Sequence, residues 1–470
     1  MVSTFPAVLA FAFLASMLLL GAALRARIGW LQNSLVPASL LGGLAGFVLL
    51  LVDLDFGFDS SDFGVMAFHF FTLSFMSLVL TGTDTQDAQP GGDVSAQSSV
   101  TTGGLWLGII WTMSLVLQAV VGLLVVRAYN GFSGASLSEF LGMIATHGFT
   151  QGPGQALSMG SIWQDTHGIE NAVNFGIIYA SAGFVAAFVV GVPIARWAVQ
   201  RGLNANSKAR LDSDFVVGVF DVERRPSAGQ QVTHPANLDS LAFHLGILGV
   251  AYLLTDEWLD FIGPIAAGVP FGESDLSLIF NHNLFFLHGL LTCLLLRRLL
   301  NKLGFGHLID NDTQRRITGS SVDFMVVATL MAVQVALLAA YWVPILLVCV
   351  FVTLATAVLC FGFGRLLGRF GIERALTAYG CCCGSTGSGI VLLRILDPDL
   401  STPIARELAF FNVAILALSF HILGLMAPFL PAMEMATILL VYIGTFVVGA
   451  LAVAFGFRGL RRSTESSEGV

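Results

Sequence analysis

Two stretches of the chain concentrate groups that can handle an ion or a charged solute. They read His147-Gly-Phe-Thr-Gln-Gly-Pro-Gly-Gln155 and Gly380-Cys-Cys-Cys-Gly-Ser-Thr-Gly-Ser-Gly389, each set within apolar sequence. Unwound backbone carbonyls and Ser or Thr oxygens can replace the hydration shell of a hard cation such as sodium. Backbone N–H groups left open at a helix start favour an anion or a carboxylate instead. Thr150, Gln151, Gly152, Gly154 and Gln155 supply such groups in the first stretch. Gly384, Ser385, Thr386, Gly387, Ser388 and Gly389 supply them in the second. Glycine also serves close helix packing, but Pro153 and the run of hydroxyls exceed what packing needs. Irregular backbone at membrane depth survives only where it is buried in protein or lines a cavity.

Other polar side chains stand alone in apolar surroundings, where an unpaired polar group is costly and is a functional candidate by default. They are His69, Gln118, His147, Asn174, Asp323, Gln334, Glu407, Asn412 and His421. Most suit hydrogen bonds between helices. Asn174 and Asn412 differ, because each follows a Gly-rich stretch early in the next apolar run. Asp323 and Glu407 fall near the cytoplasmic ends of their runs, where water reaches them. Arg394 follows the second stretch, and its guanidinium fork can hold a carboxylate through two parallel bonds. It can equally snorkel to the interface or pair with Asp397 or Asp399. We therefore take Thr150, Gln151, Gly152, Gly154, Gln155, Ser385, Thr386, Gly387, Ser388 and Arg394 as candidate substrate-binding residues. Asn174, Gly384, Thr386, Ser388 and Asn412 are the candidate ion-binding residues. Cys381-Cys-Cys383 offers thiols to a metal or a redox step, but no His or carboxylate lies nearby in sequence. Small residues packing a tight loop account for it better.

The elements that must position these groups are set by composition. The chain has 470 residues, of which 56% are hydrophobic and only 11% charged. A soluble domain carries about 25% charged residues, so this is an all-α polytopic membrane protein. The net charge of -8 says little about partners, because topology follows the placement of Lys and Arg. Nothing reads as a nucleic-acid patch. The six cysteines lie in apolar or Gly-rich segments, against a disulfide framework. An enzyme is disfavoured, since HExxH, GxSxG and a paired acid with a credible base are all lacking. No Lys or Arg precedes the first apolar run, which reads as a membrane helix and not as a signal peptide.

A spanning helix needs roughly 20 apolar residues. Candidate spans are 5–24, 34–52, 63–82, 105–126, 172–195, 238–255, 277–296, 322–340, 343–363, 405–428 and 433–457. Segment 257–275 reads as a short broken piece, and the polar stretch 197–236 as a flexible cytoplasmic linker. With the N-terminus outside, every one of the 22 basic residues except Arg127 falls on the cytoplasmic side. The acidic turns 53–62 and 256–260 then lie outside, and the C-terminus lies in the cytoplasm.

This topology makes the Gly-rich segments 138–160 and 376–395 re-entrant, from outside and inside respectively. The halves 1–196 and 238–430 become inverted repeats, each with five transmembrane helices and one re-entrant segment. Residues 5 and 238, 172 and 405, and Gly154 and Gly387 are all 233 positions apart. The linker 197–237 joins the repeats, and 431–470 holds an extra helix and a tail. Paired broken segments in two halves point to a transporter's binding site.

The chain resembles the sodium:glutamate symporter family. Residues 171–202 carry the resemblance best, above all Gly183-Phe-Val-Ala-Ala-Phe-Val-Val-Gly-Val-Pro-Ile-Ala-Arg196, similar to that family's Gly-rich helix ending in Gly-Pro-Val-Ala-Arg. Val36-Pro-Ala-Ser-Leu-Leu-Gly-Gly43 resembles its early helix. The second tip keeps Gly384, Thr386 and a hydroxyl at Ser388. The first tip reads Phe149-Thr-Gln-Gly-Pro-Gly154, where the family has Gly-Gly-His-Gly-Thr-Gly. The resemblance implies sodium-coupled uptake of glutamate or a related small carboxylate across a bacterial-type inner membrane. It implies an elevator motion, a homodimer, sodium as the coupling ion and no other cofactor, in contact with membrane lipid. The alternatives are a proton-coupled carrier of the same fold, titrating His147, Glu407 or His421, and an uncoupled channel or exporter.

Overall fold

The computed structural model describes residues 6–81, 94–206, 213–271, 274–398 and 400–457. Lys208, Arg210, Asp399, Arg458, Arg461, Arg462, most of the acidic loop after residue 81 and the first five residues lie outside them. The main helices are α1 Pro6–Arg27, α2 Ala38–Leu51, α3 Ser60–Leu80, α4 Val94–Ser133, α5 Ala145–Phe149, α6 Pro153–Asp165 and α7 Ala172–Gln200. Then follow α8 Ser240–Ala266, α9 Phe285–Lys302, α10 Asn311–Met331, α11 Trp342–Gly364, α12 Gly371–Cys383, α13 Thr386–Leu396, α14 Ile404–Leu418 and α15 Met435–Gly456. Among the described residues the only sheet is a two-residue ladder, Pro270–Phe271 with Ser274–Asp275.

Among the described residues seven helices are long and apolar enough to cross a membrane, or eight if α14 and His421–Ala432, bent by 42°, count as one span. The other expected spans are helical but short or charged. α2 has only 14 residues, because Leu35 turns left-handed at φ 53 and Pro37 restarts the chain as the N-cap. α8 runs unbroken past Asp256, Glu257 and Asp260 to Ala266. Of the segment 257–275 expected as a short broken piece, the part up to Ala266 continues α8, and the chain leaves the helix only after it. Nothing between Asp256 and Ile262 breaks a helix, and the helix outlasts Pro264 by only two residues. α10 begins at Asn311, well before the expected span at 322, because Asp310 caps it by accepting from Thr313 N and Oγ1 at 2.8 and 2.7 Å.

The helices pack as two groups. α1, α2, α3, α8, α9 and α10 form one; α4 to α7 and α11 to α15 form the other. Within the first, α3 packs along α10 and α1 along α2. Within the second, α4 is the hub for α11, α14 and α15. The groups meet where α6 lies on α3 and α7 on α10. The Ser181 hydroxyl donates to the Thr329 carbonyl at 3.2 Å across this seam.

The linker is less free than its polarity suggests. Ala205 N donates to Glu373 Oε1 at 2.6 Å, and Asn204 Nδ2 to the Leu396 carbonyl at 3.3 Å. Further on, Arg25 Nη2 donates to Phe215 O at 2.7 Å and Arg316 Nη1 to Ala228 O at 2.9 Å. Each described part of the linker is thus tied to one of the two helix groups.

Candidate functional site

Both Gly-rich stretches interrupt helices, and the interruptions meet. α5 ends at Phe149, and Gly152 takes φ 86 and ψ -176 before Pro153 opens α6 at its first position. A side chain at Gly152 would be strained in that conformation, and Pro at the first helical position loses no bond. The second interruption is shorter. α12 ends at Cys383, and Ser385 caps α13 by accepting from Ser388 N at 3.3 Å. The limbs α12 and α13 fold back on each other, with Gly380 against the backbone of Gly389. Gly183 on α7 lies between the tips. A Cβ there would collide with the Cys383 carbonyl and lie 3.2 Å from Phe149 Cα.

A buried polar knot ties the tips together. Thr150 Oγ1 donates to Gln118 Oε1 at 2.7 Å and lies 3.1 Å from the Cys382 carbonyl. Gln118 Nε2 lies 2.9 Å from Thr356 Oγ1, 2.9 Å from Cys382 O and 3.1 Å from Ser114 Oγ. Ser114, Gln118, Thr150 and Thr356 are all buried. Three helices, α4, α11 and α12, and Thr150 of the first tip therefore converge on one amide. In a low-dielectric interior such a network holds its members rigidly only when it is satisfied.

The candidate residues divide around this knot. At the first tip Thr150 to Gln155 are all buried. Gln151 Nε2 lies 3.1 Å from His147 Nδ1. His147 Nε2, Gln151 Oε1 and Gln155 Oε1 are buried with no protein partner, which costs about 1–3 kcal/mol each unless something else satisfies them. Gly154 presses on the Phe71 ring of α3. At the second tip Ser385, Thr386 and Gly387 are half-buried, and Ser388 is buried. Thr386 Oγ1 donates to Asn412 Oδ1 at 3.0 Å, which joins two candidate ion ligands. Gly384 backs the tip beside Phe184 and Ser388. Asn174 is half-buried early in α7. Arg394 is exposed in the last turn of α13, about 12 Å along the helix from Thr386 at ~1.5 Å per residue. Among the described residues no carboxylate pairs with it.

Glu407 corrects its sequence reading. It is not wet: its carboxylate is fully buried and takes two bonds from Arg374, at 2.8 Å from Nε and 2.6 Å from Nη2. Both residues read as cytoplasmic-end charges, so nothing in the sequence paired them. Gly103 leaves the space for the Glu407 carboxylate. Gln118 was legible only as an isolated polar residue, and its partners lie as far as 264 positions away. The three neighbouring thiols, Cys381 to Cys383, are free and buried. It is the Cys382 carbonyl, not its sulfur, that enters the network.

Broken helices that meet in a polar, buried centre suit a membrane transporter. The model for the sodium/glutamate symporter family matches residues 4–390, and the chain belongs to that family. The match takes in both tips and Gln118 and ends before Asn412 and α15. No curated protein matches the chain.

Proposed function

We propose that this protein is a secondary active transporter that couples sodium entry to uptake of glutamate or a related small carboxylate. The observation that carries the reading is the meeting of the two tips around Gln118. An anion and a cation need opposite partners within one site, and a pair of broken helices supplies both. Open N–H groups at the start of α13 suit a carboxylate. Thr386, Ser388, Asn412 and the carbonyls near Gly384 suit sodium. The unpartnered amide oxygens of Gln151 and Gln155 are further ligands.

The two halves are read as inverted repeats with re-entrant tips. Gln118 and Thr356, 238 positions apart, meet at the knot, as do Thr150 and Cys382, 232 apart. The first tip rests on Phe71 of α3, and the second places Gly387 with its Cβ position 3.6 Å from Val322 of α10. The two helix groups support an elevator, in which the group holding both tips slides along the other, within a dimer in an inner membrane. The second tip is more open than the first, as alternating access requires of any one state.

A proton-driven carrier needs a group free to titrate. Of the candidates His147, Glu407 and His421, Glu407 is held by Arg374 through two hydrogen bonds. The test is uptake of radiolabelled glutamate into proteoliposomes under an inward sodium gradient, against a potassium control. Sodium-dependent accumulation is expected. Equal uptake under both gradients, or uptake driven by a proton gradient alone, would refute the coupling.

A further inference from the structure

We infer that Asp323 faces the ligand and recognises its cationic group, an α-ammonium. This rests on the carboxylate-transport reading above and narrows it to zwitterions.

Asp323 lies about 18 Å along α10 from Asn311, near mid-helix. It is not at a helix end, where the sequence had placed it. α10 is an interior helix, with α1, α2 and α3 packed on it from one group and α7 from the other. Its exposed residues Arg316, Ser320 and Asp323 recur every three or four positions and so share a face. From Met325 to Val333 every residue is buried. The exposed stripe therefore starts at the charged end of the helix and stops at Asp323.

The Asp323 side chain is exposed, although it sits mid-helix. Facing lipid, the same charge would be costly. The Ser39 hydroxyl is within its reach, and among the described residues no cation pairs with it. Its neighbour Val322 has Cγ1 3.6 Å from where a Cβ of Gly387 would lie at the second tip. α10 thus carries an unpaired carboxylate one residue from its contact with the second tip, whose hydroxyls and N–H groups suit a carboxylate ligand. A molecule carrying an ammonium next to a carboxylate satisfies both.

The test compares glutamate with glutarate, which has the same two carboxylates and lacks the amine. In wild-type proteoliposomes, glutarate should compete with labelled glutamate at least about tenfold more weakly than unlabelled glutamate does, the scale of a charged hydrogen bond. In Asp323→Asn, glutamate KM should rise about 10- to 100-fold, while the inhibition constant of glutarate stays put. Equal competition in the wild type overturns the inference without any variant, so a misfolded variant cannot shelter it. A folded Asp323→Asn with unchanged glutamate KM, or with equal losses for both ligands, also overturns it. Wild-type protein inert to glutamate but active on carboxylates without an amine refutes both the glutamate assignment and the inference. Sodium-independent glutamate uptake that still rejects glutarate refutes the coupling alone.

Discussion

At the residue scale the centre hangs on single atoms. Gln118 bridges Ser114, Thr150, Thr356 and the Cys382 carbonyl. Gln118→Ala removes these contacts but leaves Thr150 bonded to Ser114 and the Cys382 carbonyl, and Thr356 to the Val352 carbonyl, so the cost is about 0.5–1.5 kcal/mol for each bond lost. The expected outcome is a lower thermal unfolding midpoint together with slower sodium-driven uptake. An unchanged midpoint would mean that the tips are held by packing alone. Thr386→Ala removes the hydroxyl bonded to Asn412 and should raise the sodium concentration for half-maximal uptake several-fold. No change in sodium dependence would take the second tip out of the ion site. The tips were legible in the sequence because Gly, Pro and hydroxyls are conspicuous in apolar runs. Gln118 was not, since one amide in a long apolar helix reads alike whether it bonds a neighbour or anchors a site.

At the element scale the second tip is held from below by charge. Arg374 on α12 and Glu407 on α14 form a buried bidentate pair. Removing one partner leaves the other charge buried and costs about 3–5 kcal/mol, while replacing both with apolar residues costs much less. Glu407→Ala should therefore collapse expression or stability, and Arg374→Met with Glu407→Leu should restore most of it. If the double variant is as unstable as the single one, the pair does more than hold helices. The loop between α13 and α14 turns on Asp397. Burial works to raise its pKa, but Thr402 N and the Ser401 hydroxyl, at 2.8 Å each, and Asn206 at 3.2 Å hold it below the usual value. The carboxylate thus favours the folded loop above its unfolded pKa, and that contribution is lost as pH falls through the lower folded value. Asp397→Asn should flatten the acid limb of a stability–pH profile; a profile with the same acid slope in both proteins would place the sensitivity elsewhere. Helix existence was legible from hydropathy, whereas helix ends were not. α8 passes its acidic residues and α10 starts early, because caps and the absence of a breaker decide where a helix stops.

At the scale of the whole molecule, the sequence order of helices and their spatial grouping differ. The first three long helices of each half, α1 to α3 and α8 to α10, pack together, and the later elements of both halves form the group that carries both tips. Hydropathy marks spans one at a time and is blind to which spans share a body, so this division could not be read from the chain. It makes a mechanical claim that can be tested. If transport moves one group past the other, a covalent tie across their seam must stop it. Ser181 on α7 and Thr329 on α10 adjoin there, the Ser181 hydroxyl donating to the Thr329 backbone carbonyl at 3.2 Å. The double variant Ser181→Cys with Thr329→Cys should transport while reduced. Oxidation should abolish uptake, and dithiothreitol should restore it, with the native thiols controlled by the parent protein. Substrate binding should survive the tie, because neither residue belongs to the tips. Full uptake by protein whose cross-link is verified on a gel would mean that the two groups stay fixed and that access changes at the tips themselves.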